Sequence, residues 1–297
     1  MPMNFTPEIR FPPKEAAAYD HLLKVAYNWD TLKGRLVSRV RRRLGLPLRP
    51  AMSLDEFSQI AQSTIGRGVN LSEVDGLWQY QSGSDAWYFP IAQERLLQWA
   101  FQVAIGPEIC MGAKYQLPGF VEVEPGDTVL DCGAFVGAFS RAAVKAGARV
   151  IAVEPSRTNR RCLTRNVERR DVTVHSVGLA AESGSARFQE SSTCVDSSFS
   201  GHIDEGSVTA EYDVEIITLA QMCRDLDIQP TFAKIEAEGW ELAILRGMGD
   251  VRPVKIAIDG SPEGGSDDRP RLCSTLAEFG YDVRTDRNMF YGRLGAG

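Results

Sequence analysis

The chain has 297 residues, a formal net charge of −6 and a pI near 5.3. A composition of 43% hydrophobic, 24% charged and 9% aromatic residues excludes a disordered or fibrous chain. The acidic balance also disfavours extended nucleic-acid binding, because the molecule as a whole repels a polyanion.

Before residue 120 the apolar residues recur mostly at helical spacing. Ala16, Tyr19, Leu22, Leu23 and Ala26 share one face, as do Leu32, Leu36, Val40 and Leu44, and later Leu96, Leu97, Ala100, Val103 and Ala104. Ser53-Leu-Asp-Glu56 reads as a capping box that opens a short helix. Pro90 is expected in the first turn of the helix that follows it. Between Lys33 and Arg49 lie seven basic residues and no acid. They read either as a solvated cationic helix face or as a contact for a membrane surface or anionic partner. Trp78, Trp87, Tyr88 and Trp99 could line an acceptor pocket, although aromatics at helical spacing more often build a core.

Beyond residue 120 strands alternate with helices. Apolar runs at Thr128–Cys132, Val150–Val153, Val172–Val177, Phe232–Ile235 and Val254–Ile258 predict strands. Helical patterns cover Phe139–Ala146, Thr158–Glu168, Trp240–Met248 and Arg269–Phe279. That alternation argues for a doubly wound α/β fold with a mostly parallel sheet. Two further strands are expected at Ala186–Gln189 and Tyr212–Ile217, with a Ser- and Gly-rich loop over 190–211 between them. The expected division is a mostly helical region over 1–115, for acceptor or oligomer contacts, and a catalytic domain over 116–297. No run is apolar enough to span a bilayer, and the N-terminus lacks the charge and hydrophobicity of a signal peptide. Six scattered cysteines and three histidines give no zinc spacing, which predicts reduced thiols and a cytoplasmic location.

The informative segment is Asp131-Cys-Gly133-Ala-Phe-Val-Gly137, which joins a strand to a helix. Glycine lets a ligand approach the backbone, and a helix N-terminus offers open N–H groups to a carboxylate. The next strand ends in Val153-Glu154-Pro155, where a carboxylate can accept both ribose hydroxyls. A dinucleotide fingerprint would place glycine at 131 and 136, and this chain has Asp131 and Val136. Asp131 would repel a pyrophosphate and attract the ammonium and sulfonium of S-adenosylmethionine.

The run Gly126–Ser140, the segment Val150–Pro155 with Asn159 and Asn166, Val177-Gly-Leu-Ala with Ser183-Gly, and Phe232-Ala-Lys-Ile-Glu-Ala-Glu-Gly239 together resemble the FkbM family of S-adenosylmethionine-dependent methyltransferases. The resemblance implies a seven-stranded, Rossmann-like class I methyltransferase sheet. It implies O-methylation of a hydroxyl on a small metabolite, sugar, glycan or polyketide-type natural product. It also implies cofactor contacts from Asp131, Cys132, Gly133, Ala134, Phe135, Gly137, Ser140, Glu154, Pro155, Asn159, Val177 and Gly178. Three positions depart from the family pattern: Glu236 stands for an Asp, Trp240 for a small residue, and Asp259-Gly-Ser for a Glu followed by a polar residue.

A hydroxyl acceptor has to lose a proton, so a base within hydrogen-bond reach is expected. Lys234, Glu236 and Glu238 alternate and would share a strand face. Glu236 and Glu238 are therefore the leading candidates, with Lys234 beside them. A structural ion-pair cluster, or a helix cap at Glu238, is the alternative. Mg²⁺ held by Glu236, Glu238 and Asp259 is a variant, although the spacing is no metal signature. His202 is a further candidate base or a solvated loop histidine. A homo-oligomer is compatible with the sequence. Nucleic-acid methylation through Arg39–Arg43, or a non-catalytic cofactor-binding domain that docks a partner, stand as alternatives.

Overall fold

The computed structural model describes residues 53–66, 68–82, 85–92, 96–199, 203, 207–261 and 267–295. The periodic runs before residue 50, the basic segment and His202 lie outside them. The chain divides into two compact units, Met1–Lys114 and Tyr115–Gly297.

In the first unit, α1 (Leu54–Ile65) begins where the capping box predicts. Ser53 Oγ accepts from Glu56 N, and Glu56 Oε2 accepts from Ser53 N at 2.7 Å. The region is not wholly helical. β1 (Leu71–Val74), β2 (Leu77–Ser82) and β3 (Asp85–Pro90) form an antiparallel meander. Asp75 and Gly76, at φ 51° and 69°, turn the first hairpin with the left-handed pair that matches strand twist. Pro90 ends β3 opposite Leu77, so it closes a strand and does not open a helix. α2 (Leu96–Ile105) and α3 (Pro107–Lys114) follow. Trp87, Phe89 and Trp99 stack at 6.2 and 5.3 Å and are buried, the core role expected of such aromatics.

The second unit contains β4 (Thr128–Cys132), α4 (Ala138–Lys145), β5 (Arg149–Val153), α5 (Arg157–Asn166), β6 (Val172–His175), β7 (Gly178–Ala180), β8 (Gly184–Ser191), β9 (Val208–Thr218), α6 (Leu219–Asp225), β10 (Phe232–Ile235), α7 (Glu241–Arg246), β11 (Lys255–Asp259), α8 (Arg269–Glu278), β12 (Tyr281–Asp286) and β13 (Met289–Leu294). Its seven-stranded sheet has the order β12-β13-β11-β10-β4-β5-β6. β13 runs antiparallel to both neighbours, and the pairs from β11 to β6 are all parallel. Central strands covered on both faces have no polar alternation, which is why β10 and β11 are buried at every position.

From β4 the chain steps outward to β5 and β6, then returns to lay β10 on the other side of β4. The order therefore reverses at β4, and the crevice outside the carboxyl ends of β4 and β10 is where such sheets take ligands. β7, β8 and β9 form a second, three-stranded sheet. The expected loop over 190–211 is thus partly strand: β8 reaches Ser191 and β9 starts at Val208, with a register shift at Glu190 and Ser191. At the amino end of β11, buried Lys255 bonds Glu124 and Asp127 at 2.8 and 2.7 Å. Burial pushes the Asp127 carboxyl up, but Lys255, Thr231 and the Glu124 backbone outweigh that and hold it below the usual range. No helix among the described residues is long and apolar enough to cross a membrane.

Candidate active site

Asp131, the penultimate residue of β4, is fully buried. Its Oδ2 accepts from Ser140 Oγ at 2.6 Å, and its Oδ1 lies 3.2 Å from Lys234 Nζ. Lys234, buried in β10, also donates to the carbonyls of Cys132 and Gly133 at 3.1 and 2.5 Å. The charge of Asp131 is thus answered inside the protein. Lys234 and Ser140 are the protein groups that face its two oxygens. Ser140, likewise fully buried, serves Asp131. Burial pushes the Cys132 thiol up to about 12, which keeps it protonated at neutral pH.

Both loop glycines are required by protein neighbours. At Gly133, φ 70°, a β-carbon would sit 1.7 Å from the Glu236 carbonyl oxygen. At Gly137, φ 85°, it would sit 2.6 Å from Leu163. Gly137 precedes α4, and no side chain caps that helix, so its first N–H groups remain available to an anion. The N–H groups of Gly133 and Ala134 both bond the Val153 carbonyl, which ties the loop to the end of β5.

Glu154 accepts from Phe135 N at 2.8 Å and Ser156 N at 2.9 Å. Burial drives its pKa up to about 7, although both backbone donors favour the charged form. Arg160 donates to the Glu154 and Pro155 carbonyls. Asn159 donates to Cys194 O at 3.0 Å, and its own buried Oδ1 has no hydrogen-bond partner. Val177 packs on the main core, and Gly178 lies against the Phe199 ring.

β10 stops at Ile235, so the shared face expected of Lys234, Glu236 and Glu238 ends early. Glu236 remains beside Lys234, with Oε2 at 3.6 Å from Nζ, and that same oxygen accepts from the Tyr115 hydroxyl. Glu238 has turned into a left-handed conformation, φ 47°, and its carbonyl accepts from Ser198 Oγ. The role of holding this loop falls to Glu241, which accepts from the N–H groups of Ala237 and Gly239. Burial raises Glu241 to about 7 against those donors, with Asp259 adding to the rise. Asp259 itself accepts from Ser261 N and Oγ. Among the described residues no group of three or more His, Cys, Asp or Glu could hold a metal ion, so Glu236, Glu238 and Asp259 do not assemble the Mg²⁺ site considered from sequence.

Sequence reasoning missed Tyr115, Glu190 and Tyr212. Glu190 accepts from Ser156 Oγ, Thr158 and Tyr212 OH, the last at 2.6 Å, and so fastens β8 to the start of α5. At the other side of the crevice the Phe199 ring packs at a tilt against Trp240, with centroids 4.7 Å apart. The end of β8 and the segment after it therefore touch both the start of α5 and the loop after β10.

The strand order with its single antiparallel member, and a glycine loop at the switch point beside a buried acid just past the end of the next strand, are the arrangement of a Rossmann-like class I methyltransferase fold. The family profile described as Methyltransferase FkbM domain matches residues 131–283, and the chain belongs to this family of S-adenosylmethionine-dependent methyltransferases. No curated protein matches the chain. Similar solved structures include a precorrin-6y C5,15-methyltransferase from Geobacter metallireducens, 14% identical over 63% of this chain and 87% of that one, with a TM-score of 0.39. An Aeropyrum pernix fibrillarin with natively bound S-adenosyl-L-methionine is 13% identical over 75% of this chain and 98% of that one, with a TM-score of 0.40. A magnesium protoporphyrin IX methyltransferase from Synechocystis is 12% identical over 58% and 71%, with a TM-score of 0.35.

Proposed function

We propose that this protein O-methylates a hydroxyl of a small metabolite, sugar or polyketide-type natural product, with Glu236 as the base. The observation that carries this reading is the placement of the half-buried Glu236 carboxylate. It stands at the switch point, one residue past the end of β10, with its own carbonyl packed on Gly133 of the loop after β4.

The residues present fit S-adenosylmethionine. Glu154 is a buried carboxylate suited to two ribose hydroxyls, the uncapped start of α4 suits the methionine carboxylate, and the unpartnered Asn159 Oδ1 can accept from an amino group. When bound, this group supplies a methyl on a cationic sulfonium. The chain's own work is to align the acceptor and to take its proton. Glu236 receives the proton as the acceptor oxygen forms its new bond, and Lys234 holds the carboxylate where it is needed. Asp131 keeps Lys234 in place and is a positioning residue.

Calorimetry with S-adenosylmethionine and with NAD, on the wild type and Glu154→Ala, tests the donor. We expect S-adenosylmethionine to bind and the variant to weaken it. Tight NAD binding with no response to S-adenosylmethionine would overturn the reading. Turnover on a panel of hydroxylated acceptors, with and without chelator, tests O-methylation. Loss of all turnover in Glu236→Gln, with chelator having no effect on the wild type, is the expected outcome.

A further inference from the structure

We infer that Tyr115 is a positioning residue for the base, anchoring the Glu236 carboxylate through one oxygen; this rests on the function proposed above. Tyr115 lies ahead of the segment that matches the family, and 121 positions separate it from Glu236. It is fully buried, yet its hydroxyl ends on a carboxylate whose side chain is 28% exposed. Its ring meets the edge of Phe139 at 5.4 Å, and the Lys234 ammonium lies 5.1 Å from the ring centre. The aromatic body is therefore held by packing, and the phenol is aimed.

The segment that carries Tyr115 is itself pinned. Leu117 N donates to Val121 O at 2.8 Å, and Gln116 Oε1 accepts from Val123 N at 2.8 Å. Arg293 of β13 donates to the Phe120 carbonyl, and Arg284 of β12 stacks on its ring at 3.9 Å. A glutamate has more rotamers than the family's usual aspartate, and a base that wanders loses alignment. Here Oε2 is held by the phenol on one side and faces the Lys234 ammonium on the other. Lys234 is oriented in turn by Asp131.

Tyr115→Phe removes the hydroxyl and keeps the packed ring. In full-length protein carrying ¹³C-carboxyl glutamate, the Glu236 resonance is assigned by its loss in Glu236→Gln and then titrated. The phenol bonds the charged carboxylate, so Tyr115→Phe should move the midpoint up, and 3-fluorotyrosine at 115, a stronger donor, should move it down. S-adenosylmethionine affinity should stay within about twofold, and turnover on the acceptor panel should fall about tenfold or more. A midpoint that moves in neither variant overturns the inference. The fluorinated variant keeps the question open to measurement should Tyr115→Phe not fold. A wild type that binds no S-adenosylmethionine sinks the proposed function; one that binds it, with the midpoint unmoved in both variants, sinks only the role of Tyr115.

Discussion

The α-carbon of Gly133 lies against the carbonyl oxygen of Glu236, so close that a methyl group at 133 would stand 1.7 Å from that oxygen. The backbone of the loop after β4 and that of the loop after β10 are thus packed together at the switch point. Neither backbone can yield cheaply, since Gly133 N bonds Val153 and Glu236 N bonds Cys132. Gly133→Ala should destabilise the protein by at least ~2 kcal/mol, from the left-handed φ and the clash together. Urea unfolding would read this as a lower midpoint with an unchanged slope.

Lys234 and Asp131 are both buried, so removing one partner strands the other's charge. Lys234→Met should cost ~3–5 kcal/mol, and much of that should return in the Lys234→Met, Asp131→Leu double variant. A strictly additive double-mutant cycle in thermal or urea unfolding would contradict the pairing.

Glu154 has a raised pKa of about 7, set first by burial. A ligand that donates to the charged carboxylate lowers that pKa, so binding must release a proton below about pH 7. S-adenosylmethionine affinity should weaken as pH falls from 7 toward 5, by up to ~10-fold per unit. Calorimetry in buffers of different ionisation enthalpy measures the proton directly. Glu154→Gln should bind more weakly and without that pH dependence.

Glu241 gives a stability prediction of definite sign. Its folded pKa of about 7 lies above its reference of 4.5, so its contribution is fully present below 4.5 and is lost as pH rises to 7. Glu241→Gln, whose amide oxygen can still accept from Ala237 and Gly239, should flatten that decline. Relative to the wild type, the variant should gain stability between pH 5 and 8 in denaturant titrations; an unchanged difference would argue against the burial penalty.

The central strands were legible because burial on both faces leaves an uninterrupted apolar run. β4 and β10 fall at their predicted limits for that reason. β12 escaped notice because half of it is exposed and its turn uses Arg287, at φ 56°, where no glycine marks the hairpin. The Asp75-Gly76 pair did mark the first hairpin, and helical periodicity nearby obscured it. Short α6 announced itself only through Thr218, whose hydroxyl caps it. Within the site, the strand-end residues Asp131, Glu154 and Glu236 could be placed by spacing. What they touch could not, because Tyr115 and Glu190 reach them across long stretches of chain. Nor could local sequence say that Asp131 spends its charge on a lysine two strand positions below Glu236.

The link running from Glu190 through Cys194 and Ser198 to Phe199 has a bearing on how this enzyme can vary. It fastens to Ser156, Thr158 and Asn159 at one rim and to Glu238 and Trp240 at the other. A tie between two banks makes them shift in concert. A substitution that displaces one rim should therefore be felt at the other, and the tie itself is the place where the two could be uncoupled.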